Sequence, residues 1–107
     1  MYEGRYTKRF KNRLEEPPFN QLKEKISEKC QMILQHPLSA CKSELLKHSY
    51  KGKRSGRLDR QYRIIYTVCS ECHKQGYQEA NLLNCPDCKD VPMETVTFLD
   101  ITDHYRI

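Results

Sequence analysis

Four of the six cysteines fall into two C-x2-C pairs, Cys69/Cys72 and Cys85/Cys88, with 12 residues between the pairs. Each pair can form a tight turn that directs two thiolates at one point. Two such turns complete the tetrahedral set of ligands that Zn²⁺ prefers. Because four thiolates close the coordination shell, the metal would have no open position for a reactive water. The spacing therefore predicts a structural zinc site formed by Cys69, Cys72, Cys85 and Cys88.

Three other interpretations of these cysteines stay open. Cys69 to His73 also fits the haem-attachment pattern C-x-x-C-H, although haem attachment would leave the second pair unused. A redox C-x-x-C pair usually begins a helix in a βαβ unit, which the surrounding sequence does not indicate. Two disulfides are the third possibility, but they are rare in a reducing cytoplasm. We interpret Cys30 as a helix core residue and Cys41 as a loop thiol.

A second group of residues suited to binding is a block of cations. Between Lys47 and Arg63 there are seven Lys/Arg residues and one acid, a net charge of +6. The other 90 residues carry 12 Lys/Arg and 13 Asp/Glu, a net charge of −1. Clustered cations bind phosphate oxygens directly and gain from the release of counterions. Nucleic acid is therefore the first partner to consider, and a solvated charged loop is the plain alternative.

The N-terminal half, which must support these groups, is predicted to be mainly helical. A short strand over 2–6 precedes a helical segment over 7–14 with Thr7 at its N-cap, and Pro17-Pro18 then interrupts the chain. In the next helix, predicted over 20–35, apolar residues recur at helical spacing and form one buried stripe of Leu22, Ile26, Cys30, Ile33 and Leu34. His36 ends this helix, because the residue before a proline disfavours the helical region.

The C-terminal half is predicted to form strands over 62–68 and 95–101, both rich in β-branched and aromatic residues. The first is almost continuously apolar, as a strand covered on both faces should be. Its exceptions, Arg63 and Thr67, lie on the same face as Ile65. The order of elements predicts one α+β domain over 1–107, a small antiparallel sheet with two N-terminal helices packed on one face. A zinc-ribbon insertion over 69–93 would lie between the last two strands.

Several of these segments resemble one family. Leu46-Lys47-His48, the loop that contains Gly52, Arg57-Leu58, the strand Tyr62-Arg63-Ile64-Ile65-Tyr66 and the ending His104-Tyr105 resemble the RelE/ParE toxin superfamily, above all its YoeB (Txe) branch. The strand indicates only the fold. The joint presence of six residues in order is more specific: Glu44, Lys47, Arg57, Arg63, His104 and Tyr105. Where this chain has residues 69–93, the family usually has a short turn.

The resemblance implies the toxin of a type II toxin–antitoxin pair, an endoribonuclease that cleaves messenger RNA on the ribosome. Metal-independent cleavage requires a base for the 2′-hydroxyl, an acid for the departing 5′-oxygen and cations for the phosphate. Glu44 suits the base and His104 suits the acid, because an imidazole can hold and release a proton near neutral pH. The remaining roles are a catalytic Arg63 and Tyr105, with phosphate contacts from Lys47, Lys51, Lys53, Arg54 and Arg57.

The resemblance also implies a protein partner, and the N-terminal sequence indicates a location. We expect a cognate antitoxin as partner, a cytoplasmic location and no membrane association, since the first ten residues lack an apolar signal region. A homodimer is a further option, because the insertion over 69–93 leaves open whether the dimer and ribosome contacts of the relatives are kept.

Two other functions stay open at this point. One is a ParE-like inhibitor of DNA gyrase without enzymatic activity, although such members generally lack the carboxylate and the histidine. The other is a zinc-ribbon module that binds nucleic acid and has an idle nuclease site. Taken singly, Glu44 could be a plain surface charge. Arg63 could equally be a structural ion-pair partner of Asp59, Asp100 or Asp103.

Overall fold

Residues 1–47, 52–71 and 93–103 are described by the structure, which is a computed structural model. They form two helices and five strands. In chain order these are β1 (Glu3–Tyr6), α1 (Lys8–Arg13), α2 (Lys23–Gln35), β2 (Glu44–Leu45), β3 (Arg54–Arg57), β4 (Tyr62–Val68) and β5 (Thr95–Asp103), with 3₁₀ turns at Phe19–Gln21 and Ala40–Lys42. No helix in this part of the chain has the length and apolar character of a membrane span.

The five strands form one sheet in the order β1-β5-β4-β3-β2. The three pairs within β2–β5 are antiparallel, as expected. The expectation of a purely antiparallel sheet was wrong for β1, which pairs in parallel with β5 in the register Glu3↔Thr95 to Tyr6↔Phe98. The sheet is therefore mixed. The direction of β1 could not be read from its side chains, because alternation along a strand is the same in both directions.

The start of α1 and the end of α2 follow from local chemistry. The Thr7 hydroxyl accepts a hydrogen bond from the Phe10 N–H at 3.2 Å, which confirms Thr7 as the N-cap of α1. α2 ends at Gln35, with His36 as its C-cap. The predicted apolar stripe of α2 is also confirmed, since it buries Ile26, Cys30, Ile33 and Leu34.

β4 lies at the centre of the sheet and is covered on both faces, as its sequence predicts. Every residue from Arg63 to Val68 is buried. Ile64, Tyr66 and Val68 belong to the main hydrophobic core, which includes residues of both helices. Because side chains alternate along a strand, Arg63 and Ile65 lie on the opposite face. The sheet thus has a helix-side face and a second face that carries Arg63.

β3 passes close to α2 at Gly56. A Cβ atom at this position would lie 2.9 Å from Ile33 Cδ1 and 3.5 Å from Tyr66 Cε1. Ile33 and Tyr66 are fully buried. The absence of a side chain at Gly56 therefore lets β3 approach the helix.

We expect Gly56→Ala to lower the free energy of unfolding by about 1–3 kcal/mol, because the added methyl overpacks the interface. Ile33→Val removes the Cδ1 atom that the methyl would meet. The cost of Gly56→Ala should therefore fall below about 1 kcal/mol in an Ile33→Val background. Denaturant unfolding of the four chains of this cycle measures both costs. Equal costs in the two backgrounds would contradict the packing described for Gly56.

Candidate functional site

Three neighbouring strands bring the predicted base and the predicted phosphate-binding arginine to the same face of the sheet. Glu44 of β2 pairs with Ser55 of β3, and Ser55 pairs with Ile65 of β4. Directly paired residues share a face, and so do residues two apart on one strand. Arg63 is two residues from Ile65, so it shares the face of Glu44. This face is the one opposite the helices.

The side chains of Arg63 and Glu44 are in contact but differ in their exposure to solvent. The Arg63 side chain is only 9% exposed, whereas that of Glu44 is 65% exposed, and Arg63 Nη1 lies 3.9 Å from Glu44 Oε2. Arg63 Nη1 also donates a hydrogen bond to Ser55 Oγ at 3.4 Å. A buried cation is costly unless anions and acceptors surround it. The site therefore has a buried guanidinium with an accessible carboxylate at its edge.

A second arginine lies directly across from Arg63. Arg57 of β3 pairs with Arg63 in the register of the sheet, and Arg57 is exposed. Like charges directly opposite each other destabilise a sheet, so this pair favours an anion between the two side chains. The β2–β3 connection carries two further cations, Lys47 and Lys53. Lys47 is exposed and follows Leu46, whose N–H donates to the Lys53 carbonyl at 2.9 Å.

Arg54 is not brought to this face. It precedes Ser55 on β3 and pairs with Tyr66, so its side chain lies on the helix-side face. Its guanidinium binds Glu71 through both carboxylate oxygens, with contacts of 2.8 to 3.1 Å, and donates to Ser43 Oγ at 3.1 Å. We therefore leave Arg54 out of the phosphate-binding group.

Three of the predicted site residues, Lys51, His104 and Tyr105, lie outside the described residues. β5 ends at Asp103, which pairs with Tyr62, and the preceding Thr102 pairs with Arg63. The last described residues of β5 thus lie beside the end of β4 that carries Arg63. That His104 faces Glu44 stays a prediction.

Two of the acids that could have held Arg63 structurally have other partners. Asp59 accepts hydrogen bonds from the backbone N–H groups of Gln61 and Tyr62, at 2.8 and 2.9 Å. Asp100 pairs with Arg9 and Arg13 of α1, at 3.0 and 2.9 Å. A structural role for Arg63 through either acid is therefore not favoured.

The predicted zinc ligands lie mostly outside the described residues. Cys69 is buried directly after β4, while Cys72, Cys85 and Cys88 are not described. Within residues 1–47, 52–71 and 93–103, no three His, Cys, Asp or Glu side chains are grouped closely enough to hold a metal ion. The Ser70 N–H donates to the Met93 carbonyl at 2.9 Å, so the two ends of the cysteine-rich segment are joined.

The other two cysteines match their interpretation. Cys30 lies in the core, where burial raises the pKa of its thiol to about 12, and Cys41 lies in the connector between α2 and β2. Cys41 and Lys42 have positive φ angles of 55° and 52°. The left-handed region costs a non-glycine residue about 1–2 kcal/mol. Strained backbone therefore immediately precedes Ser43 and Glu44.

Two polar residues of this region were missed by sequence reasoning. Ser55 contacts Arg63, and Ser43 contacts both Arg54 and Tyr66. The signal for Ser55 lies in the register of β3 against β4, which a single sequence does not reveal. Nothing in the sequence pattern indicates Ser43.

No protein-family model matches the chain, and no curated protein is detectably similar to it in sequence. Solved structures do match. A YoeB/ParE toxin from Agrobacterium tumefaciens has a TM-score of 0.63 at 17% identity, covering 96% of this chain and 99% of that one. YafQ from Escherichia coli has a TM-score of 0.60 at 12% identity, covering 99% and 97%. A heterotetrameric YoeB–YefM toxin–antitoxin complex from Staphylococcus aureus has a TM-score of 0.59 at 16% identity, covering 98% and 99%.

The chain has the fold of the YoeB, ParE and YafQ toxins. The resemblance drawn from its sequence is thus confirmed at the level of the fold. These neighbours are all below 20% identity. The likeness therefore establishes the fold, and the chemistry of the site depends on this chain's own residues.

We expect Arg57→Gln to have opposite effects on stability and on RNA binding. Removing one of two opposed cations should leave the free energy of unfolding unchanged or raise it by a few tenths of a kcal/mol. The affinity for a 2′-O-methyl RNA oligonucleotide should fall, and the slope of log affinity against log salt should decrease by about 0.7 to 1. Fluorescence anisotropy at several salt concentrations measures this slope.

The matched control is Lys25→Gln, which removes an exposed cation from α2. It should leave both the affinity and the salt slope unchanged. If Arg57→Gln instead destabilises the fold and leaves the salt slope intact, Arg57 is a structural residue and the proposed anion position is wrong.

Proposed function

We propose that this protein is the toxin of a type II toxin–antitoxin pair and an endoribonuclease that cleaves messenger RNA, with the ribosome as the place of cleavage. One observation carries the proposal: an accessible carboxylate, Glu44, lies beside the buried guanidinium of Arg63 on one face of the sheet. A base next to a fixed cation is what cleavage of a phosphodiester by its own 2′-hydroxyl requires.

In the proposed reaction, Glu44 removes the proton from the 2′-hydroxyl, and the 2′-oxygen attacks the phosphorus. The bond to the 5′-oxygen breaks, which leaves a 2′,3′-cyclic phosphate on one fragment and a 5′-hydroxyl on the other. Negative charge builds up on the non-bridging oxygens during attack. The planar guanidinium of Arg63 can donate two parallel hydrogen bonds to these oxygens. Its burial strengthens that interaction, since water screens it little.

The remaining roles rest on the sequence. We assign the proton for the departing 5′-oxygen to His104, because an imidazole is a suitable acid near neutral pH. Tyr105 would stack on a base or donate to the phosphate. Arg57, Lys47, Lys51 and Lys53 would hold the RNA backbone on either side of the cleaved bond.

We also propose a cognate antitoxin as partner. The YoeB of Staphylococcus aureus has been solved as a complex with YefM, and this chain shares its fold. The basic block calls for an acidic partner segment. β2, at one edge of the sheet, adds an exposed apolar side chain, since Leu45 is 42% exposed. A partner bound along this edge would cover Glu44 and prevent RNA from reaching it.

We expect Glu44→Gln to lower the rate of RNA cleavage by about 10² to 10⁴-fold, because it removes the base while keeping the size of the side chain. The measurement is expression in bacterial cells with mapping of RNA ends. Native protein should produce new 2′,3′-cyclic phosphate ends and growth arrest, and the variant should produce neither.

The matched control is Glu28→Gln, which removes an exposed carboxylate from α2 and should leave cleavage unchanged. Growth arrest by the Glu44→Gln variant that equals the native effect, without new RNA ends in either case, would reject the nuclease and favour inhibition of DNA gyrase. Zinc-dependent RNA binding that does not require Arg63 would favour the nucleic-acid-binding module.

We further propose that Cys69, Cys72, Cys85 and Cys88 hold a structural zinc ion. Two observations support this site. Cys69 is buried, and the hydrogen bond between Ser70 and Met93 joins the two ends of the cysteine-rich segment. A four-thiolate zinc would stabilise the segment and take no part in RNA cleavage.

We expect about one zinc ion per purified chain, released as the thiols react with a mercurial reagent, by analogy with other four-cysteine sites. Cys85→Ser should lose most of the metal, whereas Cys41→Ser should retain it. Elemental analysis with a thiol titration measures both. A metal-free native chain in which all six thiols react as free groups would remove the zinc ribbon from the proposal.

A further inference from the structure

The strand that carries the proposed base is the shortest in the sheet. β2 consists of Glu44 and Leu45, and its register with β3 has two residue pairs. One further backbone bond, from the Leu46 N–H to the Lys53 carbonyl, closes the pairing. A strand this short at a sheet edge has little stability of its own. Accurate placement of a base, however, matters strongly for catalysis, and a misplacement of about 1 Å can cost roughly 10²-fold in rate.

A chain of polar contacts reaches β2 from the helix-side face. Arg54 donates to Ser43 Oγ at 3.1 Å, and Ser43 is the residue immediately before Glu44. Ser43 Oγ lies 2.6 Å from Tyr66 Oη. The Tyr66 hydroxyl in turn donates to the Pro37 carbonyl at 2.6 Å. With Arg54 as the first donor and the carbonyl as the last acceptor, each hydroxyl accepts one hydrogen bond and donates the next.

The other side of the Arg54 guanidinium is held just as firmly. Its Nε and Nη2 atoms bind both oxygens of Glu71, and the two side chains are only 14% and 13% exposed. A partly buried, bidentate pair of this kind fixes the orientation of the guanidinium. Glu71 lies at the beginning of the cysteine-rich segment, two residues after Cys69.

We propose that Arg54 is a positioning residue, which holds the β2 strand and its Glu44 in place and ties them, through Glu71, to the base of the cysteine-rich segment. The proposal rests on the function assigned above, in which Glu44 is the base. Arg54 does not touch the RNA in this arrangement, because its side chain lies on the opposite face of the sheet. It acts through the backbone of Ser43 and Glu44.

The contacts explain why an arginine is needed at this position. A lysine has one ammonium group and cannot hold Glu71 with two parallel bonds while it also donates to Ser43. Arg54→Lys therefore keeps the positive charge but cannot make the bidentate contact with Glu71 and the contact with Ser43 together. Ser43→Ala removes the contact with Arg54, together with the Ser43 contacts to Tyr66 and Pro37, and keeps both side chains of the Arg54–Glu71 pair.

The first test measures the strand directly and does not require activity. Amide hydrogen exchange of the full chain should show faster exchange of the Leu46 N–H, by about 10-fold, in both Arg54→Lys and Ser43→Ala, since a hydrogen bond to a charged group is lost. The amides of the β4–β5 ladder should keep their native exchange rates. Arg9→Lys, which alters the pair of the exposed Arg9 with the partly buried Asp100, serves as the matched control and should change neither.

The second test measures cleavage. Arg54→Lys should lower kcat by about 10- to 100-fold, with KM changed by less than about two-fold, because RNA contacts are untouched and only the base is displaced. In a Glu44→Gln background, Arg54→Lys should cause no further loss, as expected for residues that act as a unit.

Three results would overturn the proposal. The Leu46 N–H could keep its native exchange in both variants. Exchange could rise equally in the β4–β5 ladder, which would mean general destabilisation. The effect of Arg54→Lys on kcat could persist in the Glu44→Gln background. If Glu44→Gln alone keeps full activity, the assignment of the base fails, while the exchange measurement still decides whether Arg54 holds β2.

Discussion

The buried guanidinium of Arg63 is the constraint on which the arrangement of the site depends. A cation in the middle of a sheet is tolerated only where acceptors and an anion surround it. β3 supplies the Ser55 hydroxyl and β2 supplies the Glu44 carboxylate. Arg57 stands directly opposite with the same charge, so two arginines face each other across β3 and β4. In the proposed function a phosphodiester would bind these cations, with its ribose next to the carboxylate that would remove a proton.

Neighbouring residues of β3 lie on opposite faces of the sheet and have different roles. Ser55 lies on the face of Arg63, where substrate would bind, and Arg54 lies on the helix-side face, where it orders the backbone before Glu44. The partly buried pair of Arg54 with Glu71 reaches the start of the cysteine-rich segment. Metal binding or a partner that moves this segment would therefore also change the position of β2, which carries Glu44. The Arg54–Glu71 pair thus links the cysteine-rich segment to the proposed chemistry of the site.

Sequence periodicity predicted β1, both helices, β4 and β5 because their signals are local, but it did not predict the short strands β2 and β3. The Thr7 cap, the apolar stripe of α2 and the bounds of β4 all follow from side chains within a few residues of one another. The direction of β1 and the side of the sheet taken by Arg54 depend on long-range pairing, which periodicity does not encode. Arg54 was grouped with the phosphate-binding cations because charge clusters in sequence, although alternation along β3 separates it from Arg57 by a face. The roles of His104 and Tyr105 and the zinc site stay predictions.

The most direct measurement is a cryo-electron microscopy structure of the protein on ribosomes that carry a 2′-O-methyl messenger RNA, which cannot be cleaved. We expect one RNA phosphate within hydrogen-bonding distance of the Arg63 guanidinium, with the Glu44 carboxylate facing the adjacent 2′-oxygen. RNA bound elsewhere on the protein, with Arg63 and Glu44 away from any phosphate, would contradict it.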